Sequence, residues 1–347
     1  MRVREARGVA GRWVGEFAAG AAGFAGAFFS GSVCWGSGER ELAAASDVDV
    51  IVMTSGDRAP DKLGKFVWGG VLIEATYLSW GEMPSPGEMA GSYHLAGSFR
   101  GVGGIIADPT GRLAEIQART AREFARRPWV RRRCADAEKR IVDGLGRLDP
   151  SEPFHDQVTS WLFPTGVTTH VLLTAGLRNP TVRLRYVAAG ELLAEYGQAD
   201  FYEELLRLLG CANLSPERVT RHLQAMAEVF DATAPLSTTP FFFSSDITPL
   251  ARPIAVDGAH DLIARGRHRE AVFWIAATYA RCLKILTADA PPTVRKAFAG
   301  GFAHLIADLG ITSPADLQSR AQDVLTFLPA LRTTTNKIIT TNPHIQD

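Results

Sequence analysis

FFSGSVCWGSGERELAAASDVDVIVM, Phe28 to Met53, decides how the N-terminal part of the chain is read. An apolar run ends in Gly31-Ser32, a second pair, Gly36-Ser37, follows, and a loop of small residues leads to Asp47 and Asp49 in a β-branched run. Strand side chains alternate, so Asp47 and Asp49 share one face while Val48 and Val50 share the other. Carboxylates that close repel each other unless a cation neutralises them. Mg²⁺ is such a cation, because it takes carboxylate and phosphate oxygens as ligands. A third acid, Glu74, lies in the apolar run VLIEATYL, where an unpaired charge is costly. Asp47, Asp49 and Glu74 are therefore expected to form a cage for one or two Mg²⁺ ions if their strands are adjacent.

Working outward, Trp13, Phe17, Ala21 and Phe24 fall at helical spacing and predict a helix over about residues 10–27. GAFF predicts a strand and GSVCWG a turn that leads into a helix. KFVWGGVLIEATYLSW predicts a hairpin turning at Gly69-Gly70, and GGIIAD a further short strand. After Arg112 helical periods dominate. Ser215-Pro216-Glu217 and Ser313-Pro314-Ala315 place serine as N-cap and proline at the first helical position. Val272, Ile275, Ala276, Tyr279, Leu283 and Leu286 predict one apolar face of an amphipathic core helix. The fold class is α+β: a mixed sheet with flanking helices over residues 1–127, then an all-α domain over 128–347.

A strand ending in Gly-Ser offers backbone N–H groups and a hydroxyl to phosphate oxygens. Phosphate cradle plus acid cage is the equipment for in-line attack on a nucleoside triphosphate. Strand, GSVCWG, loop, SDVDVIV, then an acid on a later strand resembles the nucleotidyltransferase superfamily, which includes the polymerase-β-like and aminoglycoside-modifying enzymes. The resemblance covers roughly residues 10–112. It implies that Gly31 and Ser32 hold the triphosphate, that Asp47 and Asp49 ligate the metal, and that Glu74 is the third acid. It also implies a nucleoside triphosphate as co-substrate and a helical C-terminal domain. Here the loop from Ser32 to Asp47 is longer than the family pattern, and Glu stands where Asp is commoner.

The stretch from His155 to Tyr186 is the most polar of the helical half. Asp156 is a candidate general base for an acceptor hydroxyl, and Arg183 and Arg185 are candidate phosphate ligands. Each of these residues has a surface or capping role as its alternative. Lys62 and Lys65 lie near the first hairpin, within reach of phosphate or on a solvated face. His94 and Arg100 sit between predicted strands and either line the site or belong to loop structure, and Phe241-Phe242-Phe243 is either an apolar lid or a core anchor.

Lysines plus arginines equal aspartates plus glutamates, 37 each, which favours a small-molecule acceptor over nucleic acid. The one basic run, Arg126-Arg127 with Arg131-Arg132-Arg133, reads as a solvated helix face. Four scattered cysteines fit reduced thiols in a cytoplasmic protein. No apolar run reaches the roughly 18–20 residues that cross a bilayer, and the N-terminus lacks the apolar core of a signal peptide. The leading expectation is transfer of a nucleoside monophosphate to a hydroxyl of an antibiotic or secondary metabolite. The alternatives are a toxin-type enzyme that nucleotidylates protein or tRNA, and the same fold reused for metal-free chemistry or binding of a metabolite.

Overall fold

The computed structural model describes residues 1–347. The chain divides into two compact units, one of residues 1–136 with 177–179 and 343–347, the other of 137–176 with 180–342. The first unit is built on helix α1, Val3–Trp13, whose Val3, Ala6, Val9, Ala10 and Trp13 recur at helical spacing and are buried. Glu5 closes its first turn by accepting from the Arg2 N–H at 2.8 Å. The helix runs on as one π-helical turn, Val14–Ala18. The expected helix over 10–27 is thus corrected to an earlier one. Gly23 takes a left-handed φ of 79°, and Phe24 opens a strand instead.

Five strands follow: β1 Phe24–Phe29, β2 Val48–Thr54, β3 Gly64–Trp68, β4 Val71–Ser79 and β5 Ile105–Ala107. They form one mixed sheet in the order β3-β4-β2-β1-β5. β2 and β4 are parallel, and the other pairs are antiparallel. The hairpin turns at Gly69-Gly70 as expected, with Trp68 opposite Val71. Ala27, Phe29, Val48, Val50, Val52, Ile73 and Ala75 pack with α1 in one core. The opposite face carries a second core in which Ala25, Phe28 and Met53 meet Met89, Phe99, Leu113 and Ile116. Leu113 and Ile116 belong to α2, Arg112–Glu123.

Helix α3, Arg127–Leu145, contains the division between the units. Arg126, Arg131 and Arg132 are exposed, but Arg133 corrects the solvated-face reading at its own position. It is buried, stacks over Phe124, and donates to the carbonyls of Ala90 at 2.7 Å and Phe124 at 2.6 Å. Burial lowers its pKa to about 10. Arg133→Met would strand both carbonyls and is expected to cost about 2–4 kcal/mol. A thermal melt checks this against Arg131→Met, which should melt like wild type.

The second unit is helical throughout: α4 Phe154–Ala175, α5 Arg185–Glu195, α6 Ala199–Leu209, α7 Pro216–Thr233, α8 Gly258–Ala264, α9 His268–Asp289, α10 Pro292–Asp308 and α11 Pro314–Thr341. Ser215 and Ser313 cap α7 and α11 as expected, accepting from Arg218 N and Asp316 N at 3.2 Å each. Most polar residues of α4 are core, although Asp156, Thr159 and Ser160 are half-buried. Thr165, Thr168 and Thr169 are buried and donate to carbonyls one turn back in their own helix. The predicted face of α9 is buried as expected, but its amphipathic character is corrected over Ala271 to Ala280, where every residue is buried. It alone is long and apolar enough to cross a membrane, and 72% of its most apolar window is buried within the fold. All four cysteines are free thiols.

Candidate functional site

The sheet brings the three predicted acids together. Parallel pairing sets Asp49 on β2 directly beside Glu74 on β4, and Asp47 immediately precedes β2. Alternation turns Asp49 and Glu74 away from the α1 core, because Val48, Val50, Ile73 and Ala75 fill that face. Ligand oxygens of Asp47, Asp49 and Glu74 all lie within 4.8 Å of one another.

Two lysines complete the cluster. β3 pairs with β4 so that Lys65 stands opposite Glu74, and Lys65, Glu74 and Asp49 form a row across three strands. Lys65 Nζ lies 2.8 Å from Glu74 Oε1 and 3.2 Å from Asp47 Oδ2, with its side chain only 5% exposed. Lys62 also pairs with Glu74 Oε1. Neither lysine is on a solvated face, which corrects that alternative.

The charges respond unequally. Burial pushes the Asp49 carboxyl well above the usual carboxylate range, and the charges of Asp47 and Glu74 push it further. Asp47 is also raised by burial, although Lys65 opposes the shift. Burial works to raise Glu74 as well, but Lys65 and Lys62 outweigh it and hold that carboxylate down at about 2. The lysines therefore stabilise the charge on Glu74, while Asp49 favours holding a proton.

Gly31 and Ser32 begin a turn against Asp49. The Ser30 N–H donates to the Asp49 carbonyl at 3.0 Å, and Gly31 follows at φ 60°. A Cβ built on Gly31 would lie 2.8 Å from Asp49 Cγ and closer still to Oδ2, so glycine is what lets the turn touch the acid. The expected helix after GSVCWG is corrected to one 3-10 turn, Gly31–Cys34, after which Trp35 is extended and Gly36 left-handed at φ 76°.

Two arginines hold this turn. Arg40 donates to the Ser32 carbonyl at 2.7 Å, and Arg100 donates to the Cys34 carbonyl at 2.8 Å while stacking on Trp35. The long loop carries Arg40 into place because it is stapled to the start of α1. Val3 N donates to Arg40 O, Arg4 N to Gly38 O and Leu42 N to Met1 O, each at 2.9 Å. Glu39 pairs with both Arg2 and Arg4. The loop thus satisfies the Val3 and Arg4 N–H groups at the start of α1, which the Glu5 contact to Arg2 N–H leaves unmet.

His94, in the first unit, has its Nδ1 3.2 Å from Ser92 Oγ, and the other candidates belong to the helical unit. Asp156 Oδ1 accepts from Lys284 Nζ at 2.7 Å, and His155 Nε2 lies 3.6 Å from its other oxygen. Arg183 precedes α5 and is half-buried. Arg185 is 2% exposed, stacks on Phe273 and donates to the Val182 carbonyl at 2.7 Å. That placement packs Arg185 within the helical unit. Phe241 and Phe243 stack with ring centres 5.4 Å apart and are half-buried, whereas Phe242 is exposed. A separate apolar cavity of about 360 Å³, lined by Trp13, Phe17, Val52, Leu63 and Tyr77, opens on the α1 face of the sheet.

The chain matches no protein-family model, no curated protein and no solved structure.

The chemistry of the donors fits a hard divalent cation: three carboxylates converge, and Gly31 lets the turn pack directly against Asp49. Lys65 and Lys62 already neutralise two of those carboxylates, so an incoming ion would compete with ammonium groups for Glu74 and Asp47.

Proposed function

We propose that the chain is a metal-dependent nucleotidyltransferase that moves a nucleoside monophosphate from a nucleoside triphosphate to a hydroxyl of a small molecule. The observation that carries this reading is the convergence of Asp47, Asp49 and Glu74 beside a Gly31-Ser32 turn that touches Asp49. Asp47, Asp49 and Glu74 would hold Mg²⁺, which when bound would neutralise triphosphate charge and favour in-line displacement. Ser32 would offer its hydroxyl and backbone N–H to phosphate oxygens. Arg40 and Arg100, which buttress the turn from its carbonyl side, would supply the positive field that draws in the triphosphate. The acceptor oxygen would attack the α-phosphorus as the bond to the pyrophosphate oxygen breaks, pyrophosphate would leave, and the hydroxyl proton would pass to solvent water.

A small acceptor is favoured over tRNA or another polyanion by the equal count of acids and bases. Burial of Arg133 weakens the one basic run further. The other reading, a metal-free binding or catalytic site on a related fold, draws support from Lys65 and Lys62, which neutralise the cluster internally. Calorimetry with ATP, GTP, CTP and UTP, with and without Mg²⁺, separates the two. The proposal expects at least one nucleotide to bind only with Mg²⁺. If none binds in Mg²⁺, the nucleotidyltransferase reading fails and the metal-free one stands.

A further inference from the structure

We propose that Lys65, assisted by Lys62, is an internal counterion that occupies the acid cluster in the metal-free protein and yields it when metal and nucleotide arrive together. The inference rests on the nucleotidyltransferase reading above and adds a positioning role to residues outside the acid set.

Three carboxylates with oxygens inside 4.8 Å repel one another strongly when ionised, and the fold supplies two ammonium groups among them. Lys65 is not a surface lysine that has drifted inward. Its position opposite Glu74 in the β3–β4 ladder fixes its stem, its side chain is 5% exposed, and its Nζ touches oxygens of both Glu74 and Asp47. A hard cation would take lone pairs on those same two carboxylates. Ammonium and metal are therefore rivals for Glu74 and Asp47, and a metal ion entering alone must displace a well-placed charge.

Displacement carries a second cost, because a lysine leaving the cluster needs another anion in a poorly solvated place. The phosphates of a nucleotide are that anion. A lysine stem is long and flexible and its head is a point charge, so it can turn from carboxylate to phosphate where a planar guanidinium would lose its paired geometry. Metal should thus bind weakly by itself and strongly with nucleotide, and by linkage nucleotide should gain as much from metal as metal gains from nucleotide.

The test is calorimetric titration of the full chain with Mn²⁺, alone and with a non-hydrolysable nucleoside triphosphate analogue of the base that binds best. Wild type should bind Mn²⁺ weakly alone and at least about tenfold more tightly with the analogue, as expected when a unit charge at contact distance is removed from competition. Lys65→Met should bind Mn²⁺ alone at least about tenfold more tightly than wild type, and its gain from nucleotide should shrink. Lys65→Arg should keep the weak binding of wild type. If Lys65→Met does not fold, Lys62→Met gives the same reading with a smaller shift. Folded Lys65→Met (or, in its place, Lys62→Met) that binds Mn²⁺ no more tightly than wild type overturns the inference and leaves the proposed function intact. No Mn²⁺ binding to wild type even with nucleotide removes the metal reading and the inference with it.

Discussion

Asp49→Asn is expected to abolish nucleotidyl transfer and, in the absence of metal, to make the protein more stable at neutral pH. The first effect follows from removing a carboxylate oxygen from the three-acid cluster. A loss on the order of a thousandfold or more is the scale for one preorganised electrostatic contact in a transition state. The second follows from the direction of the Asp49 shift. Burial and the neighbouring acids raise its pKa in the folded protein. A carboxyl with a raised folded pKa contributes stability below its unfolded value, and that stability is lost as pH rises toward the folded value. At neutral pH the wild-type protein has lost part or all of this contribution. An asparagine side chain mimics the protonated acid, so the variant retains it. Thermal melts in chelator from pH 4 to pH 8 should show wild type declining relative to the Asp49→Asn variant, and added Mg²⁺ should stabilise wild type alone. Parallel pH profiles in the two proteins would sink the assignment of Asp49 as a buried, proton-holding carboxyl, and near-wild-type turnover would sink its catalytic role.

Gly31→Ala is expected to disable the same site through backbone and packing, with every charge kept. The residue sits at φ 60°, where an L side chain costs about 1–2 kcal/mol. Its new methyl would also overlap Asp49 Oδ2, and relief requires moving the acid or the turn, at a further cost of about 1–3 kcal/mol. Gly36→Ala supplies the control. Its φ of 76° carries similar backbone strain, but a Cβ there would meet only the Arg40 side chain at 3.6 Å. Both variants should lose stability in a melt, whereas only Gly31→Ala should also lose Mg²⁺-dependent nucleotide binding. Equal nucleotide binding in the two would show that contact between turn and acid does not matter.

Much of this site could be read in the sequence, and the reasons are local. Alternation alone places Asp47 and Asp49 on the face away from Val48 and Val50. A charged Glu74 in an apolar run signals a neighbour that neutralises it. The lysines were also within reach. Counting outward from Gly69-Gly70 pairs Trp68 with Val71 and, three steps later, Lys65 with Glu74, the register observed. What sequence reading lacked was a reason to continue the count past the turn. The arginines that hold the turn were less legible. Arg40 arrives through a loop stapled to α1 and Arg100 through a stack on Trp35, and neither contact follows from spacing. Arg185 and the α4 threonines are buried for one shared reason. A polar residue in a helix reads as exposed, yet both kinds satisfy themselves on carbonyls within three or four residues and are buried.

The hairpin register has a consequence for how this chain tolerates change in length. Because β3 and β4 meet across a two-residue turn, one inserted residue at Gly69-Gly70 would slide β3 by a single step against Glu74. Phe66, now packed with the α1 core, would then face the acids, and Lys65 would point into apolar side chains. The loop between Ser32 and Asp47 is under no such rule, since it is tied down at its own middle and feeds no ladder until Val48. Variation in length should therefore accumulate in that loop and be barred from the hairpin. The segment that departs most from the nucleotidyltransferase pattern is the one whose length the acid cluster leaves free.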